Sequence, residues 1–336
     1  MRPVISFITP SPYHKIYQNT LLVDELRKRD WDIQHNETTE KTNYLLCTSP
    51  SQADRTTEIS QKYNIPYITW VPDIGDGSEG IWEHLNFIKY AAHIRAAYKV
   101  WSICTKMQWE IIRLTGRYDV DLVRPCIDNH TISSVFSRFE TPLFPKKNQM
   151  IVVGALHHWK QPHIPFLTWK EAYNPKPKLI YLTYGHLDKP LDGHYNKNTM
   201  GVNSLYARQL MKEARGLDVE FRAVSDEEKY KIIAESKILI CSDSFGTFNL
   251  PPIEAYFCHT HVLVSDTHEW IDLPFRHFKT NNILDLGNKL SSPFSDDKNW
   301  LSYLKKKMQE YTIESCADRL EEQFNNLNGN LEMKKR

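Results

Sequence analysis

The chain has 336 residues, with 42 basic and 41 acidic side chains and a formal net charge of +1, so no global field draws it to nucleic acid or to a membrane surface. That length accommodates two domains of ordinary size, each with its own core. No apolar run approaches the roughly 20 residues that span a bilayer, MRPVISFITP lacks the layout of a signal peptide, and the six cysteines form no C-x-x-C pair, so the expectation is a cytoplasmic protein with buried free thiols.

Strand candidates recur along the chain with helical stretches between them: VISFIT (4–9), NYLLC (43–47), YITWV (67–71), KVWSIC (99–104) and VDLVR (120–124). This alternation predicts a parallel sheet covered by helices on both faces. The proline-and-lysine stretch ETPLFPKKNQ (140–149) then interrupts the pattern and reads as a linker. The pattern resumes with MIVVGAL (150–156), KLIYLTYG (178–185), VEFRAV (219–224), KILICSD (237–243) and HVLVSD (261–266). The expected fold class is α/β, with two Rossmann-like domains facing a cleft where strand ends and helix N-termini converge. The domain bounds are 1–143 and 148–310, followed by a helical segment at 311–327.

The stretch SFGTFNLPPIEAYFCHTHVLVSD (Ser244 to Asp266) reads as loop, helix and strand directly after the KILI strand run. Pro251 and Pro252 suit a first helical turn, where a missing N–H has no intrahelical partner anyway. Backbone N–H groups of Thr247, Phe248, Asn249 and Leu250, at the positive end of the helix dipole, then suit a phosphate. Glu254 lies one turn inside; it either accepts hydrogen bonds from a vicinal diol such as ribose or merely complements the dipole.

Asp73 opens the acidic group DIGDGSEG, with Asp76 and Glu79 behind it. These acids cap a helix starting near Ile81, or Asp73 serves as a base at a strand end. Asp30-Trp31-Asp32 and Asp119-Val120-Asp121 spell D-x-D but sit at turns. His157, His158 and His163, and the pair His259 and His261, are weak evidence for zinc, and no metal is expected. Phe87 to Arg117 interleaves basic and aromatic residues; such a face follows a phosphate backbone or is ordinary amphipathic structure flanking a buried strand.

Several stretches resemble a known family. GTFNLPPIEA (Gly246 to Ala255) and CHTHVLVSD (Cys258 to Asp266) fall without a gap on the patterns E-G-F-G-L-P-P-L-E-A and C-G-T-P-V-V-V-S-D. VVGALHHWKQ (Val152 to Gln161) is similar to V-G-R-L-x-x-x-K-G, VSDEEKYKIIAESKILICSD (Val224 to Asp243) looks like the helix and strand before the glutamate motif, and YTIESCADRLEEQF (Tyr311 to Phe324) resembles a closing helix. The family is the retaining glycosyltransferases of the GT-B fold, family 4 in particular.

The resemblance implies a metal-independent transferase with no cofactor beyond a nucleoside diphosphate sugar as co-substrate, with uridine diphosphate (UDP) as the carrier. It places Lys160 on the donor diphosphate as a catalytic and binding residue, Thr247, Phe248, Asn249 and Leu250 around the same phosphates, and Glu254 on the ribose. The closing helix would pack back on the N-terminal domain. The acceptor stays open, with His14, Asp76 and Glu79 as candidates on that side. Asp73 falls near an aspartate of phage enzymes that glucosylate hydroxymethylated DNA, so DNA is one reading of the acceptor. Among the departures from the family, Gly246 replaces its first glutamate, Ala155 its arginine, and Pro72 a histidine near the hexose hydroxymethyl group. The first two keep open a non-catalytic sugar-nucleotide binder, and the third suggests a pentose donor.

Overall fold

The computed structural model describes residues 2–9, 19–71, 81–137, 146–154, 156, 160–172, 176–183, 206–243, 250–267, 275–291 and 306–334. The chain forms two compact units, Met1–Asp128 with Gln309–Arg336, and Asn129–Met308.

The first unit contains β1 (Val4–Ile8), α1 (Asn19–Lys28), β2 (Ile33–His35), β3 (Thr42–Cys47), α2 (Ala53–Tyr63), β4 (Tyr67–Val71), α3 (Ile81–Ala96), β5 (Lys99–Ser102), α4 (Thr105–Thr115) and β6 (Val120–Leu122). Its six strands are all parallel, in the order β2-β1-β3-β4-β5-β6. A sheet covered on both faces needs continuous apolar strands rather than alternating ones, and every residue of the YITWV strand is buried. Helices α2 and α4 end on the left-handed residues Asn64 (φ 53°) and Gly116 (φ 68°), which satisfy the last carbonyls by turning the chain back on itself.

The final helix belongs to this unit. Designated α11 (Ile313–Lys334), it buries Phe324 against Trp31 and Trp101, with ring centroids 5.3 and 5.8 Å apart. Trp31 Nε1 donates to Glu321 Oε1 at 2.6 Å, and Arg29 bonds Asp318 at 2.6 Å and Glu321 at 3.1 Å. The closing helix thus completes a core begun at Trp31, 290 positions before Glu321.

The second unit contains α5 (Asn129–Ser137), β7 (Lys147–Val153), α6 (His163–Ala172), β8 (Lys178–Leu182), α7 (206–213), β9 (Val219–Arg222), α8 (Asp226–Glu235), β10 (Ser236–Cys241), α9 (Leu250–Phe257), β11 (His261–Ser265), β12 (Arg276–Phe278) and α10 (Ile283–Ser291). Its strands are again parallel, ordered β12-β11-β10-β7-β8-β9. The unit begins ahead of ETPLFPKKNQ because α5 lies against α8 and α9. Met150, Phe166, Trp169, Leu179, Ile240 and Phe278 meet in one core under the sheet. The chain lays down β7, β8 and β9 in one direction and then returns to place β10 on the other side of β7. That reversal is the point at which open α/β sheets bind ligands, beyond the strands' carboxyl ends. Among the described residues no helix is long and apolar enough to cross a membrane.

Candidate functional site

The residues beyond β7 and β10 meet at this reversal. Directly after strand β7 comes Gly154, whose φ of +146° suits glycine and whose N–H donates to Leu182 O at 2.9 Å. The chain then reaches Lys160 on a segment tied down by two side chains, Ser242 just past β10 and Tyr181 of β8. Ser242 Oγ donates to the carbonyls of Lys160 and Gln161 at 2.9 and 3.0 Å, and the Tyr181 hydroxyl donates to Pro162 O at 2.6 Å. Lys160 Nζ donates to Asp243 Oδ2. The lysine side chain keeps 29% of its surface exposed, whereas that of Asp243 keeps 5%. Asp243 is itself anchored: Ser265 Oγ and Thr267 Oγ1 donate to its carbonyl at 2.6 and 2.7 Å, and Cys241 Sγ reaches its Oδ1 at 3.6 Å. Burial pushes the Asp243 carboxyl above the usual carboxylate range, and the Lys160 charge works against that shift. The result is a cation held at a strand end by a buried counter-ion.

Glu254 lies one turn into α9, whose first turn carries the buried Pro251 and Pro252 behind Leu250. The glutamate is 2% exposed. Its Oε1 accepts from Lys229 Nζ at 2.9 Å and from the Tyr230 hydroxyl at 3.1 Å, joining α9 to α8. Its Oε2 is buried and has no hydrogen-bond partner among the described residues. A buried acceptor left so costs about 1–3 kcal/mol. One oxygen is therefore committed to the fold, and any diol would have to be held through the other.

Lys229 and Tyr230 were not singled out from the sequence, although a signal was present. Ser225 caps α8 through a bond from Glu228 N at 3.3 Å, and Lys229 stands three and four positions before the buried Ile232 and Ile233. Helical spacing therefore puts its stem on the inward face. Asp243 carried no such mark.

Thr247, Phe248 and Asn249, with Gly246, lie outside the described residues, as do His14, Pro72, Asp73, Asp76, Glu79, Ala155, His157 and His158. Of the remaining candidates, Asp30 sits in a left-handed turn (φ 62°), Asp119 pairs with Arg117, and Asp121 lies 3.7 Å from Lys99. The basic stretch of α3 and α4 is largely occupied with the fold. Arg95 caps α4 through the carbonyls of Thr115 and Leu114 at 3.2 and 3.0 Å, Arg117 reciprocates on the carbonyls at the end of α3, and Arg113 pairs with Glu110 at 2.7 Å. The amphipathic reading of this segment accounts for these contacts. His163 Nδ1 bonds the Tyr206 hydroxyl, and among the described residues no group of three or more His, Cys, Asp or Glu side chains is placed to hold a metal.

No protein-family model and no curated protein sequence matches the chain. Solved structures do resemble it. Anabaena HepE (Alr3699), in complex with UDP and glucose, superposes with a TM-score of 0.72 at 11% identity, covering 96% of this chain and 99% of that one. Sucrose-phosphate synthase from Thermosynechococcus elongatus gives 0.73 at 12% identity, over 98% and 100%. A UDP-forming trehalose-phosphate synthase from Burkholderia xenovorans gives 0.65 at 10% identity, over 92% and 78%. Identity this low speaks to the fold alone, which is the GT-B arrangement of two Rossmann-like units.

Proposed function

We propose that the chain is a retaining, metal-independent glycosyltransferase that moves a sugar from a UDP-linked donor to a hydroxyl acceptor. The observation that carries this reading is the pairing of Lys160 with Asp243 where strand order reverses in the second unit. A cation displayed at that point meets a ligand's anionic group. The UDP and glucose bound by HepE, and the UDP formed by the trehalose-phosphate synthase, agree with a diphosphate as that group. The buried Oε2 of Glu254, which has no hydrogen-bond partner among the described residues, supplies an acceptor for a ribose hydroxyl.

In this reaction the bond between the anomeric carbon and the diphosphate oxygen breaks as the bond to the acceptor oxygen forms on the same face. The acceptor proton passes to the departing phosphate. Lys160 neutralises the charge that builds on that phosphate, so its contribution is greater in the transition state than in the bound donor. Asp243 holds the ammonium in position and does not touch the reacting atoms.

A thermal-shift screen of nucleoside diphosphate sugars tests the reading, because a ligand that binds only the native state raises Tm. UDP sugars should raise it most, with or without a chelator. Labelled donor should then be hydrolysed slowly by water, and the released sugar should first appear as the donor's own anomer. Stabilisation without any turnover would leave a sugar-nucleotide binder, and no stabilisation by any donor would overturn the reading. Paired pentose and hexose donors on the same nucleotide test the choice suggested by Pro72.

A further inference from the structure

Gln161, next to Lys160, is the least comfortable residue of the second unit's ligand end. Its φ is +46°, in the left-handed region that a residue with a Cβ adopts at a cost and that glycine enters freely. In the V-G-R-L-x-x-x-K-G pattern this position is glycine. The side chain is nevertheless retained and buried, with 8% of the residue exposed, and its Oε1 has no hydrogen-bond partner among the described residues. Its backbone is held in place from both sides, since Gln161 O accepts from Ser242 Oγ at 3.0 Å and from Ile164 N at 3.0 Å. Strain and an unsatisfied buried acceptor thus coincide in one residue that flanks the proposed phosphate cation. Each persists only when the surroundings or a ligand compensate.

The chemistry of the orphan atom narrows its partner. Oε1 is an acceptor, and phosphate oxygens at neutral pH are acceptors too, so the diphosphate cannot satisfy it. A hydroxyl can. The uracil N–H is separated from the diphosphate by the whole ribose, and the ribose hydroxyls are assigned to Glu254, which leaves the hydroxyls of the transferred sugar, bonded directly to the diphosphate that Lys160 meets. We infer that Gln161 is a sugar-reading residue, its Oε1 accepting a hydrogen bond from a hydroxyl of the transferred sugar. This rests on the proposed donor site and deepens it. It also supplies a sugar contact in a chain whose Gly246 replaces the glutamate that faces the sugar in the family it resembles.

The test compares UDP with UDP-glucose as titrants of the wild-type chain and of Gln161→Gly, with Tm measured on both proteins. Glycine relieves the left-handed backbone, so the variant should melt at a higher temperature. It should bind UDP within about twofold of wild type and UDP-glucose about five- to tenfold more weakly, the scale of one neutral hydrogen bond. Gln161→Asn, which tolerates the same backbone with a shorter amide, should fall between the two. Unchanged affinity for both ligands alongside a higher Tm would overturn the inference and leave Gln161 a strained structural residue. An equal loss for both would also overturn it, by assigning the residue to the nucleotide. If neither ligand bound the wild-type chain, the donor-site reading itself would fall, and this inference with it.

Discussion

Two ion pairs of the second unit use the same chemical groups in opposite ways. Lys229 and Glu254 have side chains only 8% and 3% exposed, and the lysine also stands 4.3 Å from the Tyr230 ring centroid. Lys160 and Asp243 share the buried carboxylate, but there the cation keeps 29% of its side chain in solvent. The first pair fastens one helix to another, so removing Lys229 strands the Glu254 charge in a dry interior, whereas Lys229 keeps a second carboxylate, Asp226, at 3.7 Å. The second presents its cation, which can be rehydrated or can meet an anion. Exposure of the cation, rather than the presence of a salt bridge, separates a fastening from a binding group.

The sharpest break of that contrast is Lys229→Met. It leaves Glu254 buried without its cation and should cost about 3–5 kcal/mol in urea unfolding. The double variant Lys229→Met/Glu254→Gln should recover more than half of the loss. A single-variant cost below about 1 kcal/mol would mean that water reaches this pair and that the two are alike.

A pH titration of stability separates His93 of the first unit from Asp243 of the second by sign. His93 is buried, stacks on Tyr67 at 4.5 Å and bonds Thr57 Oγ1 through Nδ1 at 2.9 Å. Burial pushes its ring from the ordinary 6.5 down to about 4. The unfolded chain therefore takes the proton first: this contribution is whole above pH 6.5 and is lost as pH falls toward 4. The loss between pH 7 and pH 5 should be about 2 kcal/mol, and His93→Phe should flatten it. Asp243 has the opposite sign. Its raised carboxyl favours the folded state in acid, and that contribution fades as pH rises past the ordinary 3.8. A stability curve that did not weaken between pH 7 and 5 would contradict the assignment of a neutral, buried His93.

The smallest stability effect belongs to Asp243→Asn. The cation left behind is partly exposed, so stability should change by no more than about 1 kcal/mol. Turnover should fall by about tenfold, since Lys160 loses the anchor that positions it. A stability loss as large as that of Lys229→Met would show that the Lys160 pair is a fastening as well.

The sequence made the central strands legible because they are long, β-branched and buried on both faces; the YITWV run coincides with β4, and HVLVSD overruns β11 by one residue. It did not reveal β2 (IQH) or β12 (RHF). Each is three residues long and sits at a sheet edge with one neighbour, where polar residues are tolerated and no periodicity can develop. The helix around Glu254 was readable from its two prolines. Its partner was not, because Lys229 comes from a different helix 25 positions away, and no local pattern encodes that approach. The left-handed backbone at Gln161 was likewise hidden, since glutamine gives no hint of a position that favours glycine.

The central claim is that Lys160 meets the donor's diphosphate. Calorimetric titration of UDP into the wild-type chain and into Lys160→Ala tests it most directly, because UDP carries the phosphates without the sugar. Loss of a charged hydrogen bond predicts affinity lower by about tenfold to a hundredfold in the variant, a difference of about 1.5–3 kcal/mol. Equal affinity of the two proteins for UDP would contradict the account.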